Sequence, residues 1–101
     1  MKFGLSDSEF ELLSKIVIKP LKDAGCVVWI FGSRAMGTYQ PFSDIDILYK
    51  APQDEASLRE LISRIRENSE ESRLAFKVDL VRDDDLAKSY LPSVLKNRIE
   101  V

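Results

Sequence analysis

Apolar positions recur along this chain in patterns that each predict an element. Phe10, Leu13, Ile16, Val17 and Leu21 fall at three- to four-residue spacing between the capping run Ser6-Asp7-Ser8-Glu9 and Gly25. This predicts a first amphipathic helix, bent or shortened by Pro20. Cys26-Val27-Val28-Trp29-Ile30-Phe31 is apolar on both faces and rich in β-branched and aromatic residues, which suits a short interior strand, with Trp29 and Phe31 expected in the core. Ile45, Ile47 and Tyr49 alternate with Asp44, Asp46 and Leu48, so a second strand turns its carboxylates to one face and its isoleucines to the other. Leu58, Leu61, Ile62 and Ile65 form the stripe of a helix from about Asp54 to Asn68, leaving Arg59, Glu60, Arg64, Arg66 and Glu67 for water. Phe76, Val78 and Leu80 point inward from a third strand, opposite Lys77, Asp79 and Val81. Asp83 to Asp85 then cap a last helix containing Leu86, Tyr90 and, beyond Pro92, Val94, Leu95 and Ile99.

The connection between the first two strands carries its own signals. Ser33 to Met36 can make one helical turn, with Gly37 as its stop and Pro41 breaking the loop before Asp44. No repeat, low-complexity tract or linker interrupts the chain, and 101 residues suit one domain, expected over 1–101.

Composition narrows the chemistry. With 45% hydrophobic and 32% charged residues the chain has the balance of a soluble folded protein, and its net charge of -2 argues against holding polynucleotide or anionic membrane by charge alone. No apolar run approaches a membrane span, and Met1-Lys2-Phe3-Gly4 lacks the apolar stretch of a signal peptide, so a cytoplasmic location is expected. There is one cysteine and no histidine, which excludes an internal disulfide, the usual zinc sites, and Ser-His or Cys-His catalysis. Carboxylates, hydroxyls, lysines and arginines must do the chemistry.

Asp44 and Asp46 are the first candidates. Two residues apart on a strand, they share a face at roughly 7 Å along the backbone, close enough to converge on one or two ions. Magnesium takes such hard oxygen ligands together with water and substrate phosphate. Asp79, from the third strand, can join them. Without a cation, carboxylates 4 Å apart would repel by about 4 kcal/mol per pair at an effective dielectric near 20, and one would take up a proton. Gly32 lets the backbone approach a ligand, and Ser33 presents a hydroxyl and free backbone N–H groups to an anion. A triphosphate fits there, with Asp79 placed to orient and deprotonate an acceptor hydroxyl and with Arg34 and Lys77 as phosphate neutralisers.

Plainer readings stand beside these. Arg34 can equally pair with an acidic neighbour, and Lys77 can simply offset the charge of Asp79. Cys26 reads as a small buried residue. Tyr39 and Phe42 either stack on a base, meet a partner or anchor the loop. The charges from Arg59 to Arg73 read as a solvated helix face.

Phe31-Gly32-Ser33-Arg34-Ala35, Gly37, Ser43-Asp44-Ile45-Asp46-Ile47 and Val78-Asp79-Leu80-Val81 resemble the motifs of the minimal nucleotidyltransferases of the DNA polymerase beta superfamily. The resemblance covers nearly the whole chain. It implies an α/β nucleotidyltransferase fold, a mixed β-sheet with helices packed on one face and carboxylates on the other. It also implies transfer of a nucleoside monophosphate, AMP from ATP, with Mg2+. Gly32 and Ser33 then correspond to the phosphate-binding pair, Asp44 and Asp46 to the metal ligands, and Asp79 to the third carboxylate. Met36 departs from the pattern, since many relatives resemble Gly-Ser-Arg-Ala-Arg-Gly and place an arginine there.

The resemblance further implies a partner, a helical HEPN-type protein that such chains accompany in toxin–antitoxin modules, with this chain as the antitoxin that adenylylates it. A homo-oligomer can also complete a site this small. Two alternatives remain: an antitoxin that neutralises its partner by contact alone, and a subunit of a small-molecule nucleotidyltransferase.

Overall fold

The computed structural model describes residues 3–40, 42–52, 55–74, 76–86, 88, 89 and 91–101. Met1 and Lys2 of the N-terminal stretch, Pro41 as loop breaker, Asp54 as helix start and Tyr90 as a helix member, all named above, lie outside them. Helix α1 (Asp7–Leu13) opens on a capping box. The Ser6 hydroxyl accepts from the Glu9 N–H at 3.2 Å, while the Glu9 carboxylate accepts from the Ser6 N–H at 2.8 Å. The helix then widens into a π segment, Ser14–Ile18, where the Lys19 N–H reaches back to the Ser14 carbonyl, and resumes as α2 (Lys19–Asp23). Pro20 therefore does not shorten the helix, and the departure from regular geometry falls in the turn before it. It has no N–H to give and would crowd the carbonyl four residues back, and the looser π turn just before it relieves both problems.

Strands β1 (Val27–Phe31), β2 (Ile45–Lys50), β3 (Val78–Arg82) and β4 (Ile99–Glu100) form one mixed sheet in the order β3-β2-β1-β4. β1 runs antiparallel to both its neighbours, and β2 runs parallel to β3 through the crossover helix α4 (Glu55–Glu71). The alternation read from the sequence sets the faces. Val28, Ile30, Ile45, Ile47, Tyr49 and Leu80 face a core shared with Leu13, Val17 and Leu21, and with Leu58, Ile62 and Ile65 of α4. Each fully buried aliphatic side chain there stabilises by about 1.5–3 kcal/mol. Cys26 belongs to this core, and burial pushes its thiol above the usual range.

Several expectations need correction. Asp83–Asp85 form a separate 3-10 turn in which Asp84 pairs with Arg82 at 3.3 Å, and the last helix, α5, spans only Leu91–Asn97. Ile99 belongs to β4, whose pairing the Val101 N–H extends with a 3.0 Å bond to the Val28 carbonyl. Trp29 and Phe31 are half-buried on the other side of the sheet from the core, where the Arg98 guanidinium lies 4.1 Å over the Trp29 ring. The N-terminal helices and α4 pack on one face of the mixed sheet as expected, and the short α5 adds to the other. Leu48 and Val94 are buried yet outside the main core, and Val94 lines a cleft together with Asp46 and Asp79. α5 thus lies on the carboxylate side. Among the described residues no helix is long and apolar enough to cross a membrane.

Candidate active site

Phe31, Asp46 and Asp79 stand in one row across three strands, Phe31 paired with Asp46 in the antiparallel ladder and Asp46 with Asp79 in the parallel one. Residues directly opposite on neighbouring strands point to the same face, so the two carboxylates share the open side of the sheet. The chain leaves β1 at Gly32, whose φ of 73° and ψ of -153° are open only to glycine. A methyl group built on Gly32 would run into the Asp46 carboxylate. From there the single turn α3 (Ser33–Met36) starts with its first N–H groups unpaired within the helix and ends on Gly37 in the left-handed region.

Electrostatically the site centres on Asp46. Half burial, then the charge of Asp79, then that of Asp44, push its carboxyl up to about 6. Asp79 is exposed on β3, and Asp44 is exposed just before β2. Among the described residues none of the three has a hydrogen-bond or ion-pair partner, and no three carboxylates are drawn into a closed ligand group. The convergence expected from sequence therefore amounts to a facing pair with Asp44 at its edge. Unpaired negative charge around a half-buried carboxylate fits a divalent cation, which takes open carboxylate sets completed by water and phosphate.

The Arg34 side chain is taken up inside the protein, so a nucleotide contact by this residue would fall to its backbone N–H. Arg34 is 2% exposed. Its Nε and Nη2 donate to the Ser43 carbonyl at 3.1 and 2.9 Å, and its Nη1 donates to the Phe3 carbonyl at 2.8 Å. The guanidinium lies 4.5 Å from the Phe76 ring centre and 5.4 Å from that of Tyr39. It is an internal clamp on the loop that delivers Asp44. Ser43 tightens the same loop, its hydroxyl accepting from the Gln40 N–H at 2.7 Å. Tyr39 is accordingly a loop anchor, packed on Gly4, whereas Phe42 is 77% exposed. Lys77 is exposed and serves the sheet through its carbonyl, which accepts from the Ile45 N–H at 2.9 Å.

The carboxylate row floors a cleft of about 310 Å³. Gly32 and Met36 border one side, and Ser93, Val94 and Asn97 of α5 form another. Sequence reasoning named none of the polar α5 residues, although their four-residue spacing already placed them on one helix face. A larger open groove of about 1030 Å³ runs between the N-terminal helices and α3, and among the described residues it shares only Met36 with the cleft. Size does not make it the chemical site, because all three candidate carboxylates lie outside it.

A family model described as a nucleotidyltransferase domain matches residues 11–101. Among solved structures, one described as a toxin–antitoxin crystal structure with AMP-PNP is similar at 25% identity and a TM-score of 0.58, covering 86% of this chain and 70% of that one. A candidate nucleotidyltransferase from Sulfolobus solfataricus is 24% identical, with a TM-score of 0.48 and coverage of 96% and 88%. No curated protein sequence matches the chain significantly.

Proposed function

This chain belongs to the nucleotidyltransferase domain family, and from that premise we propose that it is a magnesium-dependent enzyme that moves AMP from ATP to a hydroxyl of a partner protein. The observation that carries this reading is the Asp46–Asp79 pair, set beside a Gly32 backbone that has no room for a side chain. Asp44, Asp46 and Asp79 would hold the magnesium. When bound, the ion supplies neutralisation of phosphate charge and polarisation of the α-phosphorus.

The remaining work falls to the chain itself. Gly32 admits the triphosphate to the backbone, and Ser33 with the first N–H groups of α3 binds its oxygens. Asp79, the most open of the row, orients the acceptor hydroxyl and takes its proton. The acceptor oxygen bonds to the α-phosphorus as the bond from that phosphorus to the bridging oxygen breaks, and pyrophosphate leaves with the electron pair.

The partner reading draws support from the similar toxin–antitoxin structure that carries AMP-PNP. On this reading the chain is the antitoxin, a minimal domain over 1–101, and a helical HEPN-type toxin is the acceptor. The test is to incubate the chain with the protein encoded beside it, ATP and magnesium, and to measure intact masses. A gain of one AMP on the partner, lost in Asp44→Ala with Asp46→Ala, supports transfer. Neutralisation of the partner that survives the double substitution without any mass gain would leave an antitoxin acting by contact.

A further inference from the structure

The cleft has two chemically different ends. At the Gly32 end stand the carboxylates and the open N–H groups of α3. At the α5 end the lining is apolar, with Leu86 and Val94, and among the described lining residues its only uncharged polar side chains are Ser93 and Asn97. No described lysine or arginine lines the cleft. A triphosphate, carrying several negative charges, has no reason to lie against α5. A nucleoside does, because small-molecule sites are mostly apolar surfaces with a few placed polar groups that fix orientation.

Those polar groups are oriented. The Asn97 Nδ2 donates to the Ser93 carbonyl at 2.9 Å and stands 3.5 Å from the Ser93 hydroxyl. A carbonyl can only accept, so the amide nitrogen must face it, which leaves Asn97 Oδ1 turned away as a free acceptor. The Ser93 hydroxyl, accepting from Asn97, keeps its own O–H to donate. Val94 between them is buried on the sheet side and holds this face of α5 towards the cleft. An acceptor and a donor thus sit side by side at the apolar end.

We propose that Ser93 and Asn97 form the nucleoside subsite, with Asn97 Oδ1 accepting from an N–H or O–H of the base or ribose and Ser93 Oγ donating to an adjacent acceptor. The inference rests on the nucleotidyl-transfer reading above. Base amine and ribose hydroxyl share this chemistry, and analogues separate them.

The experiment measures binding to the full chain with magnesium, using a non-hydrolysable ATP analogue and inorganic tripolyphosphate, for wild type, Ser93→Ala and Asn97→Ala. Both substitutions fall on exposed or half-exposed positions of a helix, and thermal unfolding checks that each variant is folded. The expected result is roughly tenfold weaker nucleotide binding for Asn97→Ala and unchanged tripolyphosphate binding, the loss of one hydrogen bond being about a factor of ten. In wild type, a triphosphate analogue lacking the base amine or one lacking the 2′-hydroxyl should show a similar loss, and whichever does identifies the group read. Equal weakening of nucleotide and tripolyphosphate, or no weakening of either, overturns the subsite while leaving the transfer reading intact. Failure of wild type to bind any nucleotide overturns both.

Discussion

Arg34 and Ser43 are joined twice, since Nε and Nη2 of the guanidinium both donate to the Ser43 carbonyl, at 3.1 and 2.9 Å. The carbonyl belongs to the residue immediately before Asp44, so a buried cation positions the chain as it enters β2, the strand that carries Asp46. Replacing Arg34 by Ala should cost about 3 kcal/mol, because two part-buried carbonyls lose a charged donor and two aromatic rings lose their cation. Arg34→Lys should recover only part of this, since an ammonium cannot make the forked contact. Urea unfolding midpoints measure both. A midpoint unchanged in Arg34→Ala would show that the clamp is not structural.

Gly32 and Asp46 are coupled by space. Gly32→Ala should destabilise by about 1–3 kcal/mol, because its φ of 73° strains any other residue and the new methyl meets the Asp46 carboxylate. Truncating Asp46 to Ala removes the atoms in the way. The double variant should then be more stable than the sum of the two single effects, as contacting sites are not additive. Simple additivity in a denaturant cycle would rule out the contact.

The proton affinity of Asp46 ties stability to pH. Its carboxyl is raised from 3.8 to about 6, so the folded state binds the proton more tightly than the unfolded chain does. The contribution is therefore favourable below about pH 4, declines as pH rises to about 6, and is absent above it. Asp46→Asn removes the repulsion and should stabilise the metal-free protein at pH 7 by about 1 kcal/mol, a figure discounted for the half-exposed position. Under the proposed function it should also abolish transfer and reduce the thermal shift on adding magnesium. Thermal melts at pH 4.5 and pH 7, with and without magnesium, test this. A less stable Asp46→Asn at pH 7 would contradict the assignment.

How much of this was legible depended on range in sequence. Val27–Phe31 was readable as an unbroken run of β-branched and aromatic residues, and Ile45–Lys50 and Glu55–Glu71 because their apolar positions repeat one period. Ile99–Glu100 was not, as two residues are too few to show alternation, and its strand character comes from pairing with Trp29 and Ile30. The row of Asp46 and Asp79 follows from β2 and β3 being parallel and in register, which their sequences permit but do not state. The role of the Arg34 side chain stayed open in the sequence because one of its partners, Phe3, lies 31 positions away, so local composition could not separate a clamp from a phosphate ligand. The side of the sheet taken by α5 is likewise a tertiary choice, and Ser93 and Asn97 became visible only with it.

Met36 is 51% exposed and borders both the cleft and the larger groove. It occupies the position where the motif it resembles often places an arginine. Because no described cation lines the cleft, a guanidinium there would be the first to meet phosphate oxygens directly. Met36→Arg should lower the KM for nucleotide by about threefold to tenfold, a solvent-screened fraction of a charge-assisted hydrogen bond. Stability should change by less than about 0.5 kcal/mol, as expected for an exposed position. The gain should shrink at high salt, and tripolyphosphate should share it, since the contact is to phosphate and not to nucleoside. Steady-state transfer assays at two ionic strengths, with tripolyphosphate as competitor, measure these effects. An unchanged KM would place the phosphates away from Met36 and move the triphosphate path to the far side of Gly32.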